Sequence, residues 1–142
     1  MKTISVIPAR GGSKGIPSKN IVDLNDRPLI SYSIEASLQS NVDETWVSTD
    51  SSDISSVSKS YGAKVVDRPS EISTDTSPSE EALLHFAHDI DFDIMVFIQA
   101  SSPLIQSEDI NKGLKMMNEY DSVFTVHREH WLPRWTFDCK PT

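Results

Sequence analysis

The chain has 142 residues, a formal net charge of −8, 37% hydrophobic and 24% charged residues. That length suits one domain with one core, and the acidic balance argues against general nucleic-acid binding, which needs a broad basic face. The single cysteine, Cys139, excludes an intramolecular disulfide and a cysteine metal cluster and fits a reducing cytoplasm; no run approaches the roughly 18 apolar residues of a membrane span, and no apolar secretion segment opens the chain.

Residues 3–8 are apolar and β-branched, which predicts a buried parallel strand. A glycine-rich loop follows at 9–20, with Gly11, Gly12 and Gly15 among Arg10, Lys14 and Lys19 and no acid. Asn25-Asp26-Arg27-Pro28 predicts a turn with Pro28 near the start of a helix. Leu29, Ile30, Ile34 and Leu38 recur at helical spacing and predict an amphipathic helix over 28–39. Residues 44–49 read as a second strand. Asp50 and the serines after it are good N-caps for a helix over 52–60 that Gly62 ends. A short third strand follows at 63–66.

Residues 67–79 have no periodicity and are rich in Pro, Ser, Thr and Asp, the composition of a functional loop. A helix over 79–89 precedes an apolar run at 94–98, read as a strong central strand ending at Gln99. Ser101-Ser102-Pro103 breaks it, and Ser107 or a neighbour caps a helix over 107–119. Residues 122–126 read as a further strand. From His127 onward the tail has aromatics and prolines without a period.

Strands alternating with helices predict an α/β fold: a three-layer, Rossmann-like, mostly parallel sheet covered on both faces. Ligands of such sheets bind at the carboxyl ends of strands, where the glycine loop, the 67–79 loop and Gln99 would converge. A cationic loop on an anionic chain points to an anionic ligand. Loop N–H groups can cradle phosphate while Arg10 and the lysines neutralise it.

Ile7-Pro8-Ala9-Arg10-Gly11-Gly12-Ser13-Lys14-Gly15-Ile16 with Lys19-Asn20 resembles the signature loop of the sialic-acid-type cytidylyltransferases, the CMP-N-acylneuraminate synthetases. Val47-Ser48-Thr49-Asp50, Arg68-Pro69 followed by Asp75-Thr76, and Gln99-Ala100-Ser101-Ser102-Pro103-Leu104 resemble that family in order and spacing. At Ala100 the family more often has proline. The loop matches neither GxGxxG nor GxxxxGK[ST], so neither an NAD site nor an ATPase is read. The related enzymes acting on the eight-carbon acid Kdo resemble it less at this loop.

The resemblance implies a nucleotide-diphospho-sugar transferase type of domain at 1–127, followed at 128–142 by the start of a dimerisation or connector segment. It implies CTP and a 2-keto-3-deoxy nonulosonic acid as substrates, Mg²⁺ as cofactor, and a cytoplasmic homodimer as the full-length protein. By the family pattern, Arg10, Gly12, Ser13 and Lys14 would hold the triphosphate, and Lys19 would stabilise charge near the reacting phosphate. Asn20, Arg68, Ser79 and Gln99 would match positions that contact nucleotide. Which nonulosonic acid is used is not separable from these residues.

Each assignment has a plainer counterpart. Arg68 is as readily a surface ion pair with Asp67 or Glu71. Asp50 and Ser79 are good helix caps. Gln99 is read as a buried polar group that needs a partner. His85 and His88 lack a third ligand for zinc, and Asp89-x-Asp91-x-Asp93 reads as a solvated turn rather than a metal motif. His127, Arg128, His130 and Arg134 would either meet a sugar carboxylate or form an aromatic-rich connector. The paired metal-binding aspartates of the family have no counterpart in these 142 residues. A fragment of a longer protein, with an unfinished sheet, is therefore expected; the alternatives are a short relative that binds nucleotide without turnover, or a nucleotidyltransferase for another base.

Overall fold

The computed structural model describes residues 1–126 and 128. Four strands, β1 (Thr3–Pro8), β2 (Glu44–Thr49), β3 (Lys64–Asp67) and β4 (Ile94–Phe97), form one parallel sheet in the order β3-β2-β1-β4. The connecting helices are α1 (Leu29–Leu38), α2 (Ser52–Ser60), α3 (Ser79–Asp89) and α4 (Ser107–Met116). The expected α/β fold with a parallel sheet covered on both faces is the one observed.

Strand alternation sorts the core into two layers. On one face Ile7 packs with Ile30 and Ile34 of α1, Val47, Ile54 of α2 and Ile110 of α4. On the other, Ile4 and Val6 pack with Phe86 of α3, flanked by Trp46, Val66 and Met95. Phe86 meets Trp46 edge-on, with ring centroids 5.6 Å apart, a favoured aromatic geometry.

The buried face of α1 differs from the leucine stripe that periodicity marked out. It consists of Ile30, Ser31, Ser33, Ile34, Ala36 and Ser37, while Leu38 is 45% exposed. Small hydroxyl residues let the helix sit close on the sheet, and each finds a partner. Ser37 Oγ shares hydrogen bonds with Ser5 Oγ (2.5 Å) and Thr45 Oγ1 (2.7 Å), and Ser33 Oγ donates to the Gln99 carbonyl at 3.0 Å. A buried hydroxyl with a partner avoids the desolvation cost that an orphaned one carries.

The turn before α1 forms as expected, with Asn25 (φ 56°) and Asp26 (φ 63°) both left-handed and Leu24 N–H donating to the Arg27 carbonyl at 2.8 Å. Gly62, at φ 92°, follows α2 and turns the chain into β3, a conformation glycine adopts without a Cβ penalty.

Three expectations change. Among the described residues β4, read over 94–98 as a central strand, is the outer strand of the sheet and ends at Phe97, which is 43% exposed. Residues 122–126 form no strand, and Phe124 is 82% exposed. β-propensity measures fit to a pleated, half-buried surface, and among the described residues no ladder partner supplies one there. The helix expected over 107–119 stops at Met116. The segment expected at 128–142 lies outside the described residues apart from an exposed Arg128, so His127, His130 and Arg134 have no described place.

Candidate functional site

All four strands run parallel, so their carboxyl ends open on one side of the sheet. The chain runs outward through β1, β2 and β3 and returns beyond β1 to form β4. Strand order therefore reverses between β1 and β4, which is where open α/β sheets bind ligands. The glycine loop leaves β1 at this point, Asp50 follows β2, Arg68 follows β3 and Gln99 lies just past β4.

Close packing holds the loop at its first glycine. A Cβ at Gly11 would stand 2.9 Å from the Cβ of Ser51, so only glycine lets the loop approach the start of α2 this closely. Gly11 N–H donates to Asp50 Oδ1 at 2.9 Å. Of the expected caps of α2, Asp50 and the serines after it, Ser51 takes the role: its Oγ accepts from Ile54 N–H at 3.4 Å. At the far end of the loop, buried Asn20 donates from Nδ2 to the Arg10 carbonyl at 3.0 Å. Asn20 thus braces the loop backbone.

Two loop cations converge on one acid. Arg10 Nη1 donates to the Gly12 carbonyl (2.9 Å) and to Asp75 Oδ1 (2.5 Å), and Lys14 Nζ pairs with Asp75 Oδ2. Hydrogen bonds from Lys14 and then Arg10 hold the Asp75 carboxyl below its ordinary range. Ser13 N–H turns back to the Gly11 carbonyl at 3.1 Å. Lys19 is partly buried at the start of a 3-10 turn (Lys19–Ile21), and among the described residues its ammonium joins no ion pair.

Arg68 is not the surface ion pair that composition allowed. It is 8% exposed, and its Nε and Nη2 have no hydrogen-bond partner. It lines a cavity of about 390 Å³ with Thr49, Asp50, Ser51, Ser52 and Asp67. Burial pushes the guanidinium below its ordinary pKa, Asp50 opposes that shift, and Arg10 adds to it. A buried guanidinium with unpaired N–H groups carries a desolvation cost that an anionic or carbonyl ligand would relieve.

Ser79 and Gln99 sit differently from their expected settings. Pro78 takes the N-cap position of α3, so Ser79 is the first helical residue and is exposed. Gln99 is exposed because alternation turns Ile98 and Ala100 inward and its own side chain outward. Asp75 ties the 67–79 loop to the glycine loop. No described side-chain contact joins Gln99 to that cluster.

Among the described residues no group of three or more His, Cys, Asp or Glu is arranged to hold a metal. His85 and His88 both face Asp89, at 4.0 Å and 2.9 Å, and Asp93 accepts the Lys2 N–H at 2.5 Å. Asp50 and Asp75 are engaged as described. These residues do not fit a Mg²⁺ site on their own. Asp75 and Asp50 are the participants that sequence reasoning underweighted. Asp75 stands in a quoted motif, but nothing local shows that it meets a side chain 65 positions earlier.

The arrangement gathers Arg10 and Lys14 on Asp75 past the end of β1, with the buried Arg68 after β3 at the same end of the sheet. No helix among the described residues is long and apolar enough to cross a membrane. N-acylneuraminate cytidylyltransferase B of Danio rerio is 42% identical over 134 residues, covering 92% of this chain and 31% of the relative. N-acylneuraminate cytidylyltransferase of Escherichia coli is 37% identical over 134 residues, covering 91% and 32%. The chain thus spans about a third of the length of these relatives. Among solved structures, CMP:2-keto-3-deoxy-manno-octonic acid synthetase complexed with CTP superposes with a TM-score of 0.75 at 29% identity, covering 84% of this chain and 48% of that one. Residues 4–137 match the family model described as cytidylyltransferase, and the chain belongs to that family.

Proposed function

We propose that the whole protein activates a nonulosonic, sialic-type acid with CTP, giving the CMP-sugar and pyrophosphate. The observation that carries this reading is the cationic glycine loop and the buried, unpaired Arg68 at the same end of one parallel sheet, in a chain 42% identical to an N-acylneuraminate cytidylyltransferase. Identity to relatives named for N-acylneuraminate exceeds the 29% shared with the octonic-acid synthetase, which favours a nine-carbon acid.

In this reading Arg10, Gly12, Ser13 and Lys14 hold the triphosphate. Lys19 lies near the α-phosphate as the anomeric hydroxyl of the sugar attacks phosphorus and pyrophosphate leaves. Charge neutralisation by fixed cations is the main catalytic need of such a transfer. Asn20, Arg68, Ser79 and Gln99 contact the nucleotide, and Asn20 does so while bracing the Arg10 carbonyl. Mg²⁺ would further neutralise the phosphates; its protein ligands are not supplied by the described residues. We place the full-length protein in the cytoplasm as a homodimer, with residues 1–127 as the nucleotide-binding domain and 128–142 beginning the connector. Among the described residues nothing pairs with the outer edge of β4, an edge that a further segment or a second subunit would cover.

A second reading is favoured by the 31% span of the Danio rerio relative: this 142-residue chain binds CTP without turning it over. Pyrophosphate release with CTP, Mg²⁺ and N-acetylneuraminate separates the two. Turnover supports the enzyme reading for the chain itself. CTP binding without release restricts the chain to nucleotide binding. If neither CTP binding nor release occurs in folded protein, both readings fail.

A further inference from the structure

Two of the three cations of the glycine loop, Arg10 and Lys14, are not vacant. Arg10 Nη1 reaches Asp75 Oδ1 at 2.5 Å, and Lys14 Nζ pairs with the other oxygen of the same carboxylate. Asp75 is therefore bidentate, one oxygen to each cation, as a bound phosphate group would be. It comes from a different segment, 65 residues along the chain from Arg10 and just ahead of α3. The side chain of Asp75 is 31% exposed, and that of Lys14 is 85% exposed. The contact is thus at the surface and weak enough to exchange with ligand.

We propose that Asp75 is the internal competitor of the phosphate cradle: it occupies Arg10 and Lys14 until a ligand phosphate displaces it, and it reclaims them when phosphate departs. The proposal rests on the reading that Arg10 and Lys14 bind the triphosphate. Asp75 and a phosphate oxygen cannot share the same donors in the same geometry. Every ligand group that uses these cations therefore bears the loss of the Asp75 pairs, and a ligand that does not use them bears nothing. Asp75 weakens triphosphate and pyrophosphate together, leaves the nucleoside part unaffected, and speeds release of pyrophosphate. It thereby sets how strongly the site prefers phosphate over nucleoside contacts.

The experiment is calorimetric titration of wild type and Asp75→Asn with pyrophosphate, CTP and cytidine at fixed ionic strength. Asparagine keeps the volume and removes the charge. Because Asp75 is exposed, the variant is expected to fold, and its melting midpoint is measured alongside; Asp75→Ser provides a second variant should Asn disturb the loop. Asp75→Asn should bind pyrophosphate and CTP roughly threefold to tenfold more tightly, the scale of two part-exposed ion pairs, with cytidine unchanged. Equal or weaker pyrophosphate binding in the folded variants, with CTP still bound by wild type, overturns the competitor role and leaves the proposed function standing. Absence of CTP and pyrophosphate binding in all three proteins overturns the phosphate reading of the loop, and the competitor role with it.

Discussion

Gly11→Ala is the substitution with the most directly calculable outcome. The new Cβ would lie 2.9 Å from Ser51 Cβ. Carbon–carbon contacts are best at about 3.5–4.0 Å, so the loop and the start of α2 must part by roughly 0.6 Å or more. Overpacking of this kind costs about 1–3 kcal/mol. The same shift stretches the Gly11 N–H bond to Asp50, now 2.9 Å, one of a class that contributes about 1.5–3 kcal/mol when intact. Alanine restricts the unfolded chain and returns about 0.4–1 kcal/mol. Loss of about half of that bond then leaves a net destabilisation of about 1–4 kcal/mol. At about 2–4 °C per kcal/mol for a chain near this size, the melting midpoint should fall by about 2–16 °C. Gly12→Ala is the control. Its Cβ meets only the flexible Arg10 guanidinium at 3.8 Å, so stability should stay within about 0.5 kcal/mol while CTP-induced stabilisation shrinks, because the side chain intrudes on the cradle. Thermal denaturation with and without CTP reads both. An unchanged midpoint for Gly11→Ala, or equal destabilisation by the two substitutions, would refute the packing argument.

Phe86→Ala removes the fully buried ring that joins α3 to β1 and β2, and denaturant unfolding should show a loss of about 3–5 kcal/mol; a loss under about 1 kcal/mol would mean that α3 is not held by this contact. Glu44 gives a pH test. Lys64, then Trp46, with Lys2 behind them, hold its carboxyl down to about 2 from 4.5. Its folded-state pKa is depressed, so its stabilisation is complete above pH 4.5 and is lost as pH falls from 4.5 through 2. The stability gap between wild type and Glu44→Gln should close over that window, and a gap that stays constant down to pH 2 would show that the charge is not its source.

Much of the fold was legible locally. β1 and β2 were read at their observed bounds because each is a short apolar or β-branched run with turn residues beyond it. The α2 bounds followed from Asp50, the serines after it and Gly62, and the α3 bounds from Leu83, Leu84, Phe86 and Ala87. The buried face of α1 was not legible, since serine reads as polar until Ser5, Thr45 and the Gln99 carbonyl are placed opposite it. Residues 94–98 and 122–126 misled for the opposite reason: apolar β-branched runs look central whatever lies beside them, and burial depends on neighbours.

The candidate site divides the same way. Sequence by itself determined that a glycine-rich loop carrying Arg10, Lys14 and Lys19 follows the first strand, because glycine and charge are properties of single residues. It also determined the family resemblance, through the order and spacing of four motifs. Tertiary structure decided the rest. It buried Arg68 with Nε and Nη2 unpartnered, anchored the loop on Asp50, and brought Asp75 across 65 positions onto Arg10, where it also meets Lys14. Desolvation and ion pairing depend on distance in space, and one-dimensional spacing carries that distance only within a single helix or strand.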